Sequence, residues 1–341
     1  MSLPILLSFQ LPPVALTALK LLAVLAGASV AVTLLMTLLV VPYIIYRALL
    51  VRTKKSKWSR ECSSDDPELK SMFAMGGAWR QEHSQWLRDV TIVNDGFKLW
   101  GEYTDLGNKK AVIIVPGRSE GLVYGYYFAR PYAESGYNVL CIDQRAHGRS
   151  DGKYNSVGFK EHRDLIAWAK MLREELGIQE IVLHGICIGA SCCMFASTAE
   201  NGKELFDGMV VEGMYPCFYE SLKNHAIRFK QPVFPTMPLL TAFMKLHTGA
   251  DIRFGPQNII DQLDKPLLMI HSKEDTYSLP HTAKELYEKC GSSQKQLVWF
   301  ERGEHSHLRI TDTEKYDGAI CDFLRGSVQN SLTANESSRG I

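Results

Sequence analysis

The sequence lacks a strong excess of charge of either sign. Its 38 lysine and arginine residues nearly balance its 37 aspartate and glutamate residues, which leaves a net charge of +1 at pH 7. Proteins that bind nucleic acid through its phosphates need a positively charged surface. The composition therefore gives no reason to expect nucleic acid, or any strongly charged molecule, as a partner.

The sequence also lacks any Cys-x-x-Cys pair, although it contains eight cysteines. Cys192 and Cys193 are adjacent, and the other six are scattered. This pattern suggests neither a zinc site nor a disulfide framework, and we expect no metal and no cofactor. Unpaired thiols are more typical of a reducing compartment, which favours the cytoplasm.

Charged residues are absent from Leu21–Tyr46, a stretch made mostly of Leu, Val, Ala and Ile. A membrane helix needs roughly 20 apolar residues, and this stretch is too long for a cleaved signal peptide. Lys20 is the only basic residue before it, whereas five follow it: Arg47, Arg52, Lys54, Lys55 and Lys57. The positive-inside rule then predicts a single-pass anchor with the rest of the chain in the cytoplasm. Whether Leu3–Leu11 also enters the bilayer stays open.

Short apolar runs alternate with helical stretches through the rest of the chain. A hairpin is predicted around Asn94-Asp95-Gly96, because this is favourable turn chemistry between two strand-like runs. Alternating strands and helices predict a mostly parallel sheet with helices on both faces. The predicted divisions are a membrane anchor with a basic flank (1–57), a linker with one short helix (58–88), an α/β domain (89–326) with an inserted helical lid (217–263), and a flexible tail (327–341).

One short stretch, Ile181–Ala190, has the form of a strand, a tight turn and the start of a helix. Its turn reads Gly185-Ile-Cys187-Ile-Gly189, a G-x-C-x-G version of the nucleophile elbow G-x-S-x-G. The two glycines have a physical role, since side chains there would collide with the neighbouring strand and helix. The alternative interpretation is a common strand–glycine–helix turn with a buried thiol.

Five motifs in order resemble the α/β-hydrolase superfamily over about residues 89–324. They are the loop Val115-Pro-Gly-Arg118, the segment Asp143-Gln-Arg-Ala-His-Gly-Arg-Ser-Asp-Gly152, the residues Gly158, His162 and Asp164 that lead into a helix, the loop Ile270–Asp275, and Arg302-Gly-Glu-His305-Ser. The turn around Cys187 lies between them. The resemblance implies an α/β-hydrolase fold behind the membrane anchor. Two departures are Pro116, where the family usually has His, and Ala146, where it usually has Gly.

The resemblance also implies roles for particular residues. Cys187 would be the nucleophile, at a helix N-terminus that favours the thiolate. His305 would be the base, and Asp275 would orient it and stabilise the imidazolium. The amides of Ile188, which follows the nucleophile, and Arg118, in the loop after the third strand, would form the oxyanion hole.

Alternatives exist for two of these roles. Glu274 adjoins Asp275 and could replace it, and Glu212 after the sixth strand is a further candidate acid. His307 competes with His305 for the role of base. The remaining candidates in the motifs are expected to be structural: His147, His184, Cys192 and Cys193.

A cysteine nucleophile in place of serine makes acyl transfer possible as well as hydrolysis. Dienelactone hydrolases, polyester synthases and bile-acid acyltransferases of this superfamily use a cysteine at this position, and a thioester intermediate reacts readily with amines and thiols. We expect a membrane-anchored hydrolase that cleaves an ester, thioester or amide of an apolar, lipid-like acyl substrate. The alternatives are an acyltransferase and a non-catalytic binding protein of the same fold.

Overall fold

An eight-stranded sheet forms the centre of the protein in a computed structural model that describes residues 12–328. Its strands are β1 (Leu87–Asn94), β2 (Phe97–Thr104), β3 (Lys110–Val115), β4 (Asn138–Ile142), β5 (Glu180–Ile186), β6 (Gly208–Glu212), β7 (Leu267–Ser272) and β8 (Lys295–Phe300). They lie in the order β1-β2-β4-β3-β5-β6-β7-β8. β2 is antiparallel to both neighbours, and β3 to β8 are parallel. The mostly parallel sheet predicted from the sequence is thus confirmed.

Helices fill the connections between these strands. The α-helices of the described residues are α1 (Pro13–Leu35), α2 (Val41–Leu50), α3 (Pro67–Glu82), α4 (Leu122–Gly125), α5 (Arg130–Glu134), α6 (Glu161–Glu174), α7 (Ile188–Thr198), α8 (Phe218–Arg228), α9 (Thr236–Thr248), α10 (Pro280–Lys289), α11 (Leu308–Thr311) and α12 (Thr313–Phe323). Short 3-10 turns cover Ser84–Trp86, Tyr126–Phe128, Pro256–Asn258 and Ile260–Gln262, and π-helical turns cover Met36–Val40 and Leu324–Val328.

Both faces of the sheet are buried, because successive residues of its central strands point to opposite sides. In β3, Ile113 packs in one apolar cluster together with α6, α7 and α10. Its neighbours Val112 and Ile114 pack in the other cluster, together with α3, α4 and α12. The helices therefore lie on both sides of the sheet, as expected of strands that are apolar throughout.

The β1–β2 hairpin turns at Asp95 and Gly96, which both have positive φ (+49° and +78°). Two consecutive left-handed residues define the turn that matches the twist of a two-residue hairpin. Pairing of Asn94 with Phe97 closes the turn. The predicted hairpin is present at the predicted turn residues.

One continuous helix runs from Pro13 to Leu50 through α1, the π-helical turn Met36–Val40 and α2. It is the one helix of residues 12–328 that is long and apolar enough to cross a membrane. None of the residues of α1 is buried. The last turns of α2 differ, because Tyr46 and Leu50 are buried against the rest of the protein.

The segment between β6 and β7 carries α8 and α9, within the insertion expected at 217–263. Both helices pack in a third apolar cluster that also contains Tyr46 and Leu50 of α2. The partly buried side chain of Cys187 borders this cluster. The inserted helices and the end of the apolar helix thus cover the turn after β5.

The segment expected to be a linker, 58–88, is packed against the domain. Trp58 is buried, and its ring stacks on that of His147 with centroids 4.6 Å apart. Arg60 donates hydrogen bonds to Asp143 and Glu102, at 2.9 and 2.7 Å. The helix predicted in this segment is α3, which has 16 residues.

The predicted tail, 327–341, starts within the π-helical turn Leu324–Val328, and Val328 is buried. The rest of the tail, 329–341, lies outside the described residues, as does Leu3–Leu11.

Candidate active site

Cys187 forms the sharp turn between β5 and α7, with φ of +54° and ψ of −113°. A positive φ is uncommon for a residue with a side chain, and such strained residues cluster at functional sites. Its amide donates a 3.0 Å hydrogen bond to the carbonyl of Glu212 in the neighbouring strand β6. The turn therefore holds the thiol at the carboxyl edge of the sheet and at the N-terminus of α7.

Two glycines make this turn possible. A Cβ atom on Gly185 would lie 2.6 Å from the carbonyl oxygen of Gly189, and one on Gly189 would lie 2.1 Å from the carbonyl oxygen of Val115. Both distances are far below a normal contact, and both obstacles are backbone atoms. The collisions expected from the sequence are therefore present at both positions.

The structure brings His305 and Asp275 together. Nδ1 of His305 lies 2.7 Å from Oδ2 of Asp275. The other carboxylate oxygen, Oδ1, accepts hydrogen bonds from the amides of Tyr277 and Ser278, both at 2.8 Å. The carboxylate is therefore fixed on one side by the backbone and presents its other oxygen to the imidazole.

The far ring nitrogen of His305, Nε2, is buried and makes no hydrogen bond to nitrogen or oxygen atoms within residues 12–328. Burial opposes protonation of the ring, but the charges of Asp275 and Cys187 and the hydrogen bond of Asp275 raise the pKa of His305 well above its usual value. Burial likewise opposes ionisation of Asp275, but the charge and hydrogen bond of His305 hold the pKa of that carboxyl below its usual value. The charges of Asp275 and Cys187 thus both influence the His305 ring.

The alternative acids from the sequence make other contacts. Glu274 accepts a 3.2 Å hydrogen bond from the amide of Gly303. Glu212 is buried and accepts hydrogen bonds from the amide of Leu308 at 2.9 Å and the hydroxyl of Tyr316 at 2.7 Å. Burial raises the pKa of Glu212. Neither carboxylate occupies the position that Asp275 holds beside His305.

The alternative histidine, His307, also lines the cavity at Cys187 but contacts other carboxylates than Asp275. Its Nδ1 lies 3.0 Å from a carboxylate oxygen of Glu68, and its Nε2 lies 3.9 Å from that of Asp66. Both acidic residues stand at the start of α3. His305 and His307 therefore contact different carboxylates, although only one residue separates them in the sequence.

The two amides proposed for an oxyanion hole come from loops that meet at Cys187. Ile188 is the first residue of α7, and the loop holding Arg118 lies beside the elbow, because a Cβ on Gly117 would be 3.6 Å from Cβ of Cys187. Neither the Ile188 amide nor the Arg118 amide donates a hydrogen bond to an acceptor within residues 12–328. Both donors are thus free for a ligand.

A cavity of about 290 Å³ opens at the thiol. Its volume is at the lower end of the range typical of ligand sites. The lining is mostly apolar where α2, α3 and α8 contribute to it. It is polar where the loop after β3 and the loop after β8 contribute. The lining residues include Leu49, Leu69, Phe218 and Leu222, and Arg118, Glu120, Glu304 and His305.

Two residues that surround this site, Leu49 and Gly213, are not predicted from the sequence. Leu49 lines the cavity although it belongs to the apolar helix, and its carbonyl accepts a 3.2 Å hydrogen bond from the Arg118 guanidinium. Gly213 has φ of +62°, and a Cβ there would lie 2.8 Å from Cε1 of His305. A glycine directly after a predicted strand was a visible signal for Gly213, whereas nothing local marks Leu49.

The remaining candidates of the motifs have other positions. His184 is buried, and its ring nitrogens lie 2.8 and 3.2 Å from the hydroxyls of Tyr132 and Tyr316. Burial lowers the pKa of His184 to about 3. His147 is buried as well, with one ring nitrogen 2.8 Å from the carbonyl of Arg118. Cys192 and Cys193 are buried in the helix behind the elbow.

Comparison with known proteins finds one matching family and several relatives. Residues 110–239 match the family described as alpha/beta hydrolase fold. The uncharacterized protein YqkD of Bacillus subtilis is 29% identical over 218 residues, which are 62% of this chain and 70% of that protein. The lysophosphatidylserine lipase ABHD12 of Danio rerio is 21% identical over 199 residues, 56% of this chain and 51% of that one. The uncharacterized membrane protein YNL320W of Saccharomyces cerevisiae is 24% identical over 238 residues, 68% of this chain and 77% of that one.

Solved structures show the same architecture. The esterase Pf2001 of Pyrococcus furiosus superposes with a TM-score of 0.60 at 24% identity, over 73% of this chain and 94% of that one. The Est1E structure of Butyrivibrio proteoclasticus with ferulic acid has a TM-score of 0.53 at 15% identity, over 70% and 99% of the two chains. Likeness at this identity establishes the fold, and the fold expected from the sequence motifs is confirmed.

Proposed function

We propose that this chain, which belongs to the α/β-hydrolase superfamily, is a membrane-anchored hydrolase that uses Cys187, His305 and Asp275. Its substrate would be an ester, thioester or amide of an apolar acyl group. The observation that carries the proposal is the position of His305. One of its ring nitrogens lies 2.7 Å from Asp275, and the other is buried without a hydrogen-bond partner among residues 12–328. His305 and Cys187 line the same cavity, and Cys187 raises the pKa of the ring.

In the acylation step, the sulfur of Cys187 attacks the acyl carbonyl carbon and its proton is held by Nε2 of His305. The carbonyl oxygen becomes an oxyanion, for which the free amides of Ile188 and Arg118 are the donors. Collapse of this intermediate breaks the bond to the leaving group, which takes the proton from His305. The product of the step is a thioester of Cys187.

In the deacylation step, Nε2 of His305 removes a proton from water, which attacks the thioester carbonyl. The Cys187 sulfur leaves and regains a proton from the imidazolium, which releases the acid. Asp275 keeps Nδ1 as the protonated nitrogen throughout and stabilises the imidazolium that forms twice in the cycle. An amine, thiol or alcohol in place of water would give acyl transfer instead.

An apolar acyl group suits the surroundings of the thiol. Cys187 borders the third apolar cluster, and the cavity wall includes Leu49, Phe218 and Leu222. Two relatives point the same way by their names, since one is a lipase that acts on lysophosphatidylserine and another is a membrane protein. Burial of each methylene of an acyl chain contributes about 0.8 kcal/mol, so that a long chain favours such a site.

The apolar helix Pro13–Leu50 would anchor the enzyme in a membrane. Five basic residues follow the uncharged run Leu21–Tyr46 and only Lys20 precedes it, which predicts a cytoplasmic enzyme domain by the positive-inside rule. A reporter fused after Ile341 that is active only outside the cytoplasm would contradict this orientation.

Turnover of a panel of acyl esters and thioesters by the full chain in detergent tests the proposal. We expect the Cys187→Ala variant to lose turnover, and the Cys321→Ala variant, which changes another partly exposed thiol, to keep it. Addition of an amine or alcohol acceptor measures how the acyl group divides between water and the acceptor. Full turnover by Cys187→Ala would contradict the proposal.

A further inference from the structure

Exposed apolar side chains collect where α8 is connected to α9. Ile227, Phe229 and Phe234 are 57, 53 and 79% exposed. Side chains of this size and exposure close together in a loop mark a surface that contacts an apolar partner. We call these three residues the lid tip.

The helix that follows the lid tip, α9, packs against the apolar helix. Tyr46 of that helix contacts His247, with ring centroids 5.1 Å apart, and Tyr43 contacts Phe243 at 6.1 Å. α9 also packs against the π-helical turn Met36–Val40. These contacts show that α9 runs in the same direction as the apolar helix. The start of α9, next to Phe234, is therefore the part of α9 nearest to the N-terminal half of the apolar helix.

The N-terminal part of the apolar helix would lie within the hydrocarbon core of a bilayer. Counted from Lys20, the apolar run fills a hydrocarbon core of about 30 Å with about 20 residues, which end near Val40. The turn Met36–Val40 then belongs to the last turns within the core. Because α9 packs against this turn, its beginning and the lid tip reach the same level.

The lid tip is connected to the cavity by α8. Residues of the first turns of α8 line the cavity: Phe218, Ser221, Leu222 and His225. The helix then ends at Arg228, in the tip, and the ring of Phe229 lies 4.6 Å from that of His225. One side of this short helix therefore faces the thiol cavity, and its far end stands among the exposed apolar residues.

Charge favours a bilayer as the occupant of this surface. Residues 218–248 contain four lysine and arginine residues (Lys223, Arg228, Lys230 and Lys245) but a single acidic residue, Glu220. Arg228 and Lys230 adjoin the lid tip, whereas Lys223 and Lys245 pair with Glu220 and Asp251, and Arg228 also lies 3.8 Å from Glu304. Basic side chains around an apolar surface are attracted to anionic lipid head groups, each by about 1 kcal/mol. A soluble protein partner would have no reason to meet the tip at the level of the membrane helix.

From these observations we infer that the lid tip inserts into the bilayer beside the apolar helix, and that the acyl substrate passes directly from the leaflet along α8 to Cys187. This inference rests on the proposed function for its second half only. The first half, contact of the tip with lipid, is a property of the surface and is measured without turnover.

Contact is tested with the full chain in vesicles of phosphatidylcholine and phosphatidylglycerol whose acyl chains carry bromine, which quenches tryptophan. We expect quenching of the added tryptophan in Phe234→Trp, beyond that of the six native tryptophans. The control is Val93→Trp, at a 75% exposed position in the β1–β2 hairpin, where no added quenching is expected. Equal quenching at 93 and 234, or none at 234, would overturn the inference.

Entry is tested with Phe234→Glu and the control Val93→Glu. The two assays are hydrolysis of a palmitoyl ester dissolved in the same vesicles without bromine and of a water-soluble nitrophenyl acetate. We expect Phe234→Glu to lower the first rate about tenfold, a loss of about 1.4 kcal/mol, and to leave the second unchanged. Equal loss of both rates, or of neither, would overturn the entry route.

The hydrolysis and quenching measurements together distinguish an error in the proposed function from an error in the inferred membrane contact. If the parent chain hydrolysed neither ester while the added tryptophan of the Phe234→Trp variant was still quenched, the thiol chemistry would be wrong and the membrane contact of the tip would stand.

Discussion

The guanidinium of Arg118 donates a 3.2 Å hydrogen bond to the main-chain carbonyl of Leu49. The first residue carries a proposed oxyanion donor, and the second is in the last turn of the apolar helix. Lys57 adds to this connection, since its ammonium group donates to the carbonyls of Arg47, Ala48 and Val51 at the same helix end. The end of the apolar helix is therefore part of the wall of the candidate site.

Removal of this helix end should weaken the enzyme domain. A chain that starts at Trp58 loses Tyr46 and Leu50, both buried, and loss of one large buried side chain costs about 2–5 kcal/mol. We expect its free energy of unfolding in urea to be at least about 2 kcal/mol below that of a chain that starts at Val41, which keeps α2. Equal unfolding midpoints and slopes for the two chains would contradict this.

Four single substitutions test the proposed triad against its neighbours. We expect His305→Ala to lose roughly a thousandfold or more in turnover, and His307→Ala much less, because only His305 contacts Asp275. Asp275→Asn should approach the loss of His305→Ala, since the imidazole then adopts the wrong tautomer. Glu274→Gln should be close to the parent. The measurement is steady-state hydrolysis of a short-chain thioester, and equal mild losses at both histidines would refute the triad.

The pH dependence of thiol alkylation tests the pair of Cys187 and His305. The pKa of His305 is raised well above its usual value, so that the ring keeps its proton to a higher pH than a free imidazole does. An imidazolium beside the sulfur stabilises the thiolate. At pH 6 we expect iodoacetamide to modify Cys187 in the parent roughly tenfold faster than in His305→Ala, about 1.4 kcal/mol of thiolate stabilisation.

As the pH is raised, the two alkylation rates should approach each other, because the imidazole of the parent then loses its proton. Modified cysteines are identified by peptide mass spectrometry. A ratio of rates that did not change with pH would show that His305 acts on Cys187 by packing alone.

The geometry of the turn itself predicts a stability difference between two glycines. Gly189→Ala places a Cβ 2.1 Å from the Val115 carbonyl, whereas a Cβ on Gly318 in α12 has no atom within 4 Å. We expect Gly189→Ala to lower the melting temperature strongly or to prevent folding. Gly318→Ala should raise stability by about 0.5–1 kcal/mol, as alanine does in a helix interior. A tolerated Gly189→Ala would mean that the elbow relaxes more easily than its contacts imply.

Much of the enzyme domain follows from local sequence patterns. The pattern of residues 313–323 predicts a helix, which is α12, and the apolar run Ile181–Leu183 predicts a strand, which lies within β5. These elements have strong periodicity and clear ends. The pattern of residues 124–135, in contrast, predicts a helical stretch, but these residues contain α4, a 3-10 turn and α5. Their large aromatic side chains are buried, and their packing decides the backbone where helix propensity is weak.

The relation of the anchor to the site had no local signal. The sequence predicted a membrane helix, then a linker from Trp58, since charge and polarity change there. The structure buries Trp58 on His147 and places Leu49 at the cavity. Contacts between residues 69 positions apart, such as Arg118 and Leu49, depend on tertiary packing, which no short window of sequence contains. The order of Cys187, Asp275 and His305 was readable only because motifs with known spacing surround them.

The most direct test of the central claim is to trap the acyl group on the enzyme. The full chain is mixed with a palmitoyl thioester, quenched in acid within seconds, digested and analysed by mass spectrometry. We predict a palmitoyl mass on the peptide that contains Cys187, removed by neutral hydroxylamine as a thioester is, and its absence in Cys187→Ala. An acyl group carried by another residue, or full turnover by Cys187→Ala with no acylated peptide, would contradict the account.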